Sequence, residues 1–329
     1  MGTTDRDARD IVVSVIIPAY NEEEYIYDCV ASVLNQKFDK VFEVIACDDS
    51  SSDKTYEILE SLETDREKLR VLQNSKNRGI IDTVNRLTEA ASGEFLLRID
   101  ADSVLLSGTI RGMYNNFNSG TDLVFGRVEV KNTTHLHPTA AAISKRRGRG
   151  TWYGGACIGV DRKKFIDTGG FKKTMIGAEV QELKQRASLH NWNIARLDEH
   201  GVKSNFPVEL RPVLRRKFDS GRTHINQYIE VPETYNIWEL RGPIFWTFLL
   251  ILAVASTFIP SLLGGIFLLF LLPLYQYSKD AKLAVAISGR RSFALLYPAY
   301  QILSAVLRTV GVWSTIDNVF ILLSQRYLT

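Results

Sequence analysis

Cysteine is scarce: the chain has three in 329 residues, at Cys29, Cys47 and Cys157. Their odd number and wide spacing exclude a disulfide framework and a Cys-x-x-Cys zinc module, so a reducing compartment is expected. Histidine is nearly as rare, with five residues and no pair at metal-ligand spacing. His200 and His224 are the two available to complete a metal shell, although a structural or surface role is the plainer assignment for each. A strong net charge is also missing. Forty Lys and Arg against 37 Asp and Glu leave +3, too little to point to a nucleic-acid partner. The stretch Met1–Asp10 is polar and charged, so no secretory signal is expected there. The last absence is local: from Pro243 to Tyr277 no residue carries a charge.

That last feature divides the chain. Residues 1–235 have the composition of a soluble α/β protein, and residues 236–329 are markedly apolar. In the first part strand and helix patterns alternate. The β-branched run Val12–Ile17 ends at Pro18, and Asn21-Glu22-Glu23-Glu24 is expected to open a helix, its acids matching the positive helix end. Phe42–Cys47 forms a second strand, after which Ser52 or Asp53 caps a helix. Leu69–Leu72 is a third strand, a helix covers about Ile80 to Ala91, and Phe95–Ile99 is a fourth strand. Alternation at this pace predicts a mostly parallel sheet with right-handed crossovers.

Three of these strands end in polar or acidic clusters: Pro18-Ala19-Tyr20-Asn21, Asp48-Asp49 and Asp100-Ala101-Asp102. In a parallel sheet such ends share one edge, which is where open α/β sheets bind ligands. Asp100 and Asp102 together suit a divalent cation that bridges to phosphate. The simpler reading is a solvated turn in which Asp caps the next helix. A single Asp-x-Asp does not separate the two, whereas three polar or acidic turns on one edge point to a site.

The residues at these strand ends are similar to the motifs of the family 2 glycosyltransferases. Val15–Glu23 looks like the family's opening motif, and Val44–Asp53 resembles its nucleotide-binding Asp-Asp-x-Ser-x-Asp turn. Asn77-Arg78-Gly79, Asn85 and Ala91–Phe95, running into Asp100-Ala101-Asp102, follow in family order and spacing. The similarity covers about residues 12 to 222. It implies a GT-A fold (a Rossmann-like nucleotide-diphospho-sugar transferase domain), a UDP- or GDP-sugar donor, a divalent cation, Mg²⁺ or Mn²⁺, and inversion at the anomeric carbon. By the same resemblance Pro18, Tyr20 and Glu22 line the base and ribose pocket, Asp48 or Asp49 accepts from a base N–H, and Arg78 reaches the diphosphate. Asp102, with Asp100 assisting, holds the metal, and Asp100 is equally placed to contact the ribose. Asp53 is as well explained as a helix cap.

Further along, Trp152–Gly159 resembles the family segment whose small residues, Gly155 among them, let donor and acceptor approach the backbone. The general base departs from the pattern. Family members commonly carry Glu-Asp-x-Glu-Leu, and here Glu179-Val180-Gln181-Glu182-Leu183 puts Val180 in place of the Asp. Glu179 is the best substitute and Glu182 the second. An acceptor that is already anionic, such as a lipid phosphate, needs no base at all.

Two basic clusters remain, Lys145–Arg149 and the set Arg211, Arg215, Arg216, Lys217 and Arg222. Both suit a solvated face. The second, within about residues 207–222, interleaves Val213, Leu214 and Phe218 and also suits a helix lying against anionic lipid headgroups. The uncharged run 243–277, about 35 residues, is too long for one membrane span of about 20 and suits a hairpin turning at Phe258–Ser261. Basic residues on both flanks place both ends in the cytoplasm. Further apolar stretches lie within 293–323.

The combined expectation is an integral membrane glycosyltransferase with a cytoplasmic catalytic domain, followed by C-terminal transmembrane or interfacial helices. Its partners are a nucleotide-sugar donor, a lipid-linked acceptor and membrane lipids. Two alternatives stand beside it: a catalytically silent nucleotide-sugar-binding subunit, which Val180 permits, and a processive polysaccharide synthase. Against the latter stand the small number of spans and the lack of Gln-x-x-Arg-Trp after Glu182.

Overall fold

The structure, a computed structural model, describes residues 11–65, 68–131, 139, 155–173, 175, 177, 179–205, 211, 213–215, 217–222, 241–256, 273, 275 and 280–314. The Trp152-Tyr153 pair, the Lys145–Arg149 cluster, His224, the hairpin turn at 258–261 and the stretch 319–323 lie outside them. The chain forms two compact units. One comprises Met1–Lys131, Thr151–Lys173 and Glu179–Asn205, and the other comprises Asn132–Gly150, Thr174–Ala178 and Phe206–Thr329.

The first unit is built on an eight-stranded sheet of order β3-β2-β1-β4-β7-β6-β8-β5. Strands β1 (Ile11–Ala19), β2 (Val41–Asp48), β3 (Leu69–Gln73) and β4 (Phe95–Ile99) run parallel. They are joined by helices α1 (Ile26–Leu34), α2 (Thr55–Asp65) and α3 (Ile80–Ala90). Beyond β4 the sheet changes character. Strands β5 (Ser103–Leu105), β6 (Leu123–Val130), β7 (Cys157–Asp161) and β8 (Ile194–Ser204) complete it, with β7 antiparallel to both β4 and β6, β6 parallel to β8 and β5 antiparallel to β8. The expected parallel sheet therefore describes half of the fold. Helices α4 (Thr109–Asn118), α5 (Arg162–Asp167) and α6 (Glu179–Leu189) belong to the second half.

The central strands are buried on both faces, which is why β1, β2 and β4 read as nearly continuous apolar runs. Phe95 on β4 is fully buried, and burying such a ring contributes about 1.5–3 kcal/mol. Gly159 on the adjacent β7 makes that possible, because a Cβ there would stand 2.2 Å from Phe95 Cζ.

Helix α1 begins later than its acids suggested. Asn21 adopts a left-handed backbone, φ 56°, and its side-chain Oδ1 accepts from the Ser52 N–H at 2.8 Å. Its own N–H donates to Ser51 Oγ at 2.9 Å. The chain leaves that turn through Glu22, whose carbonyl accepts from the Tyr25 and Ile26 N–H groups at 2.9 Å each, and the helix runs from Ile26.

The second unit contains α7 (Arg241–Ser256), a helical segment at 280–288 and α8 (Phe293–Trp313). Val213 is buried with Ala284, Tyr297 and Tyr300, so one apolar side chain of the basic segment packs in a protein core, while Arg211, Arg215 and Arg222 are exposed. Among the described residues no helix is long and apolar enough to cross a membrane.

Candidate active site

The carboxyl ends of β1, β2 and β4 lie at one edge of the parallel half-sheet. Ala19 pairs with Asp48, and Ile16 pairs with Arg98 two residues before Asp100. Pro18 is buried within β1 beside Cys47, while Tyr20 at the strand end is exposed. The Glu22 N–H donates to Thr55 Oγ1 at 2.8 Å, which ties the start of α1 to the start of α2. Asp53 sits at that junction. Its carboxylate accepts from the Thr55 N–H and hydroxyl and from the Glu23 N–H. Burial pushes its pKa up, but these bonds outweigh burial and leave it below the usual aspartate range.

Asp48 and Asp49 have separate roles. Asp49, 3% exposed, accepts from Asn74 Nδ2 at 2.7 Å and from the Arg78 and Gly79 N–H groups at 2.8 Å each. Both of its oxygens hold the loop between β3 and α3, and that loop carries the exposed Arg78. Asp48 is fully buried and has longer contacts, at 3.3 Å, from the Ser51 N–H and Gln73 Nε2. Of the two, Asp48 therefore keeps more capacity to accept from a nucleotide.

At the end of β4, Asp102 Oδ1 accepts from Ser103 Oγ at 3.0 Å and Ser204 Oγ at 3.3 Å. Its backbone carbonyl accepts from the Asn205 N–H and side-chain amide, so the turn is anchored to the end of β8. Asp100 Oδ1 accepts from Arg98 Nη2 at 2.9 Å. Among the described residues no group of three or more His, Cys, Asp and Glu forms a self-sufficient metal site. A Mg²⁺-like ion needs only one or two carboxylates when substrate phosphates and water fill its remaining positions, and the Asp100/Asp102 turn fits that donor set. His200 takes no part, because its ring packs on Gly108 and Gly112 beside α4.

On the facing side, Glu179 is the first residue of α6, and its Oε1 lies 3.8 Å from Arg98 Nη1. Val180 packs against the core, and its Cγ2 would be 3.2 Å from a Cβ placed on Gly155. Glu182, expected as the second base candidate, is fully buried in a bidentate pair with Arg186, at 2.8 and 2.9 Å. Arg186 also donates to the Thr168 and Gly170 carbonyls, at 2.6 and 2.7 Å. The pair fastens α6 to the turn after α5, and with both oxygens engaged Glu182 is withdrawn as a proton acceptor. Asn85 grips the same turn from α3, bonding the Phe171 carbonyl and N–H at 3.0 Å each.

Arg98 was not expected at the site. The signal was present in the sequence as a lone charge inside the apolar run Phe95–Ile99, since a charge on a buried strand requires a partner.

Residues 14–172 match the model of Glycosyl transferase family 2. The chain is 28% identical over 176 residues to the GalNAc(5)-diNAcBac-PP-undecaprenol beta-1,3-glucosyltransferase of Campylobacter jejuni, covering 51% of this chain and 57% of that one. It is 32% identical over 129 residues to the UDP-Glc:alpha-D-GlcNAc-diphosphoundecaprenol beta-1,3-glucosyltransferase WfgD of Escherichia coli, covering 39% of this chain and 49% of that one. The matched stretch thus spans about half the length of these curated relatives. Among solved structures, the mannosyltransferase PcManGT from Pyrobaculum calidifontis, in complex with GDP-Man and Mn²⁺, superposes with a TM-score of 0.57. It covers 92% of this chain and 86% of that one at 16% identity, a likeness of fold. The chain therefore carries a family 2 glycosyltransferase domain, built on a GT-A-like α/β sheet.

Proposed function

We propose that the chain is a metal-dependent, inverting glycosyltransferase that moves a sugar from a UDP- or GDP-sugar to a lipid-carried acceptor, either a polyprenyl phosphate or a lipid-linked glycan. The observation that carries this reading is the gathering of Asp48, Asp100 and Asp102 at one sheet edge, with Glu179 joined to Asp100 through Arg98. The names of the two undecaprenol-dependent relatives support the acceptor class, and the GDP-Man and Mn²⁺ of the Pyrobaculum enzyme support the donor and the cation.

In this reading Asp48 and the stretch Pro18–Glu22 receive the nucleoside, and Arg78 meets the diphosphate. Asp102, assisted by Asp100, holds a Mg²⁺ or Mn²⁺ ion, which when bound neutralises the charge developing on the leaving diphosphate. An acceptor oxygen attacks the anomeric carbon from the face opposite that diphosphate, so the configuration inverts. Glu179 takes the proton when the acceptor is a hydroxyl, and a phosphate acceptor brings no such proton. Gly155 carries no side chain between Val180 and Arg98, where a Cβ would meet Val180 Cγ2 at 3.2 Å.

We place the catalytic domain at the cytoplasmic membrane face, with residues 236–329 as its anchor. Ile244, Phe248 and Ile251 are exposed along one face of α7, and Leu296, Leu303 and Val310 along α8, as lipid-facing stripes require. Arg290 and Arg291 are also exposed, as a partner of anionic headgroups must be. Anchoring raises the effective concentration of a lipid-borne acceptor.

The test is a panel of labelled UDP- and GDP-sugars incubated with membranes bearing the full chain, followed by analysis of lipid extracts. One donor should give a new labelled lipid that disappears on chelation. Nucleotide binding without product from any donor would instead identify a silent binding subunit, the reading that Val180 at the expected base position favours.

A further inference from the structure

We propose that Arg98 is a positioning residue for this reaction, orienting the donor-side Asp100 and the acceptor-side Glu179 through one guanidinium. The inference rests on the sugar-transfer reading of the same site.

Arg98 is 6% exposed on a strand whose other residues are apolar. Stability alone does not explain a charge there, because well-packed apolar residues generally serve a buried position as well as an ion pair does. The geometry supplies a reason. Nη2 bonds Asp100 at 2.9 Å, and Nη1 faces Glu179 at 3.8 Å, so the two arms of the fork address carboxylates from the end of β4 and the start of α6. Nε and Nη1 are buried and make no hydrogen bond, and Nη1 meets the Glu179 carboxylate as an ion pair longer than a hydrogen bond.

The guanidinium is also confined. The Phe171 ring lies 5.5 Å from its Cζ, and Asn85 fixes the Phe171 backbone. On another side lies Gly155, where a Cβ would be in ordinary van der Waals contact with both Nη atoms, at 3.5 Å. A group boxed in this way transmits the position of one carboxylate to the other.

The experiment uses full-length chain with R98M, R98K and D100N and the corresponding double variants. It measures UDP and GDP binding with MnCl₂ by calorimetry, donor KM and kcat, and the thermal midpoint. R98M should weaken nucleotide binding about tenfold and lower kcat about 100-fold, the scale of loss that a displacement of about 1 Å produces. Adding D100N to R98M should change binding by less than about twofold, because the two residues act as a unit. R98K keeps the charge without the fork, and should recover most of the binding but little of kcat. Independent, multiplying losses in the double variant would overturn the proposal, as would a wild-type kcat in folded R98K. If R98M does not fold, the R98K/D100N cycle decides in the same terms. If the wild-type chain binds nucleotide but turns over no donor, the transferase reading fails, while the binding cycle still reports on the link between Arg98 and Asp100.

Discussion

Replacing Asp49 by Ala removes the acceptor that holds the loop between β3 and α3, and the structure sets the size of the effect. Three donors lose a charged partner at 2.7–2.8 Å. Hydrogen bonds to a charged group contribute about 1.5–3 kcal/mol each. The losses are unequal. The Arg78 N–H lies in an exposed stretch and regains water, and the Gly79 N–H has a second acceptor in Asn77 Oδ1 at 3.1 Å. Asn74 stays buried, bonded through the same amide to Thr83. The net cost expected for Asp49→Ala is about 3 kcal/mol, and about 2 kcal/mol for Asp49→Asn, whose amide turns a donor towards donors. With a urea slope of about 2 kcal/mol/M, Asp49→Ala should lower the unfolding midpoint by about 1.5 M. Asp48→Asn loses only contacts of 3.3 Å and should cost less than about 1 kcal/mol, yet weaken nucleotide binding more than its stability loss explains. Urea titrations followed by circular dichroism, paired with calorimetric UDP and GDP binding, check both halves. An unchanged midpoint in Asp49→Ala, or a larger stability loss in Asp48→Asn, would refute this division of labour.

Asp102→Ala should abolish sugar transfer, and full activity of that variant with a chelator present would exclude the metal role assigned to the turn. Glu179→Gln should abolish transfer to a hydroxyl acceptor and leave transfer to a phosphate acceptor within about threefold, so its kinetics classify the acceptor. Glu182→Gln should cost about 3–5 kcal/mol by stranding the buried Arg186, with kcat of the folded enzyme unchanged; a collapsed kcat at unchanged stability would restore Glu182 as the base. Burial raises the pKa of the Cys29 and Cys157 thiols, and burial pushes Cys47 up to about 11 despite the adjacent Arg86. Native protein at pH 8 should therefore react with a thiol reagent far more slowly than urea-unfolded protein, and rapid native labelling would contradict the burial of all three.

The parallel half of the sheet was legible in the sequence because β1, β2 and β4 are largely buried apolar runs, stopped by polar or acidic residues. The second half was not. β5 is three residues long, and β6, β7 and β8 pair in mixed directions that no local pattern specifies. The acidic turns showed where the site would be, but not which acid does what. Asp48 and Asp49 are identical in local sequence context, and partners 25 to 30 residues away separate them. Glu182 was within reach of sequence reasoning, since Arg186 follows at i+4, the spacing at which helical side chains meet. Asn85 was picked out by motif order alone, and its grip on Phe171 spans 86 residues, which only the fold brings together.

The family match ends at residue 172, whereas Glu179 opens a helix beyond it. Arg98 thus faces one acid within the matched residues, Asp100, and one beyond them, Glu179. For evolution and for engineering this adds a rule for exchanging α6, beyond the Glu182–Arg186 pair that fastens it to the turn after α5. A graft from another member keeps donor usage intact only if its first helical turn again presents an acid to Arg98. Without that acid the guanidinium keeps Asp100, and a chimera with a native donor pocket should bind donor yet lose transfer to a hydroxyl acceptor.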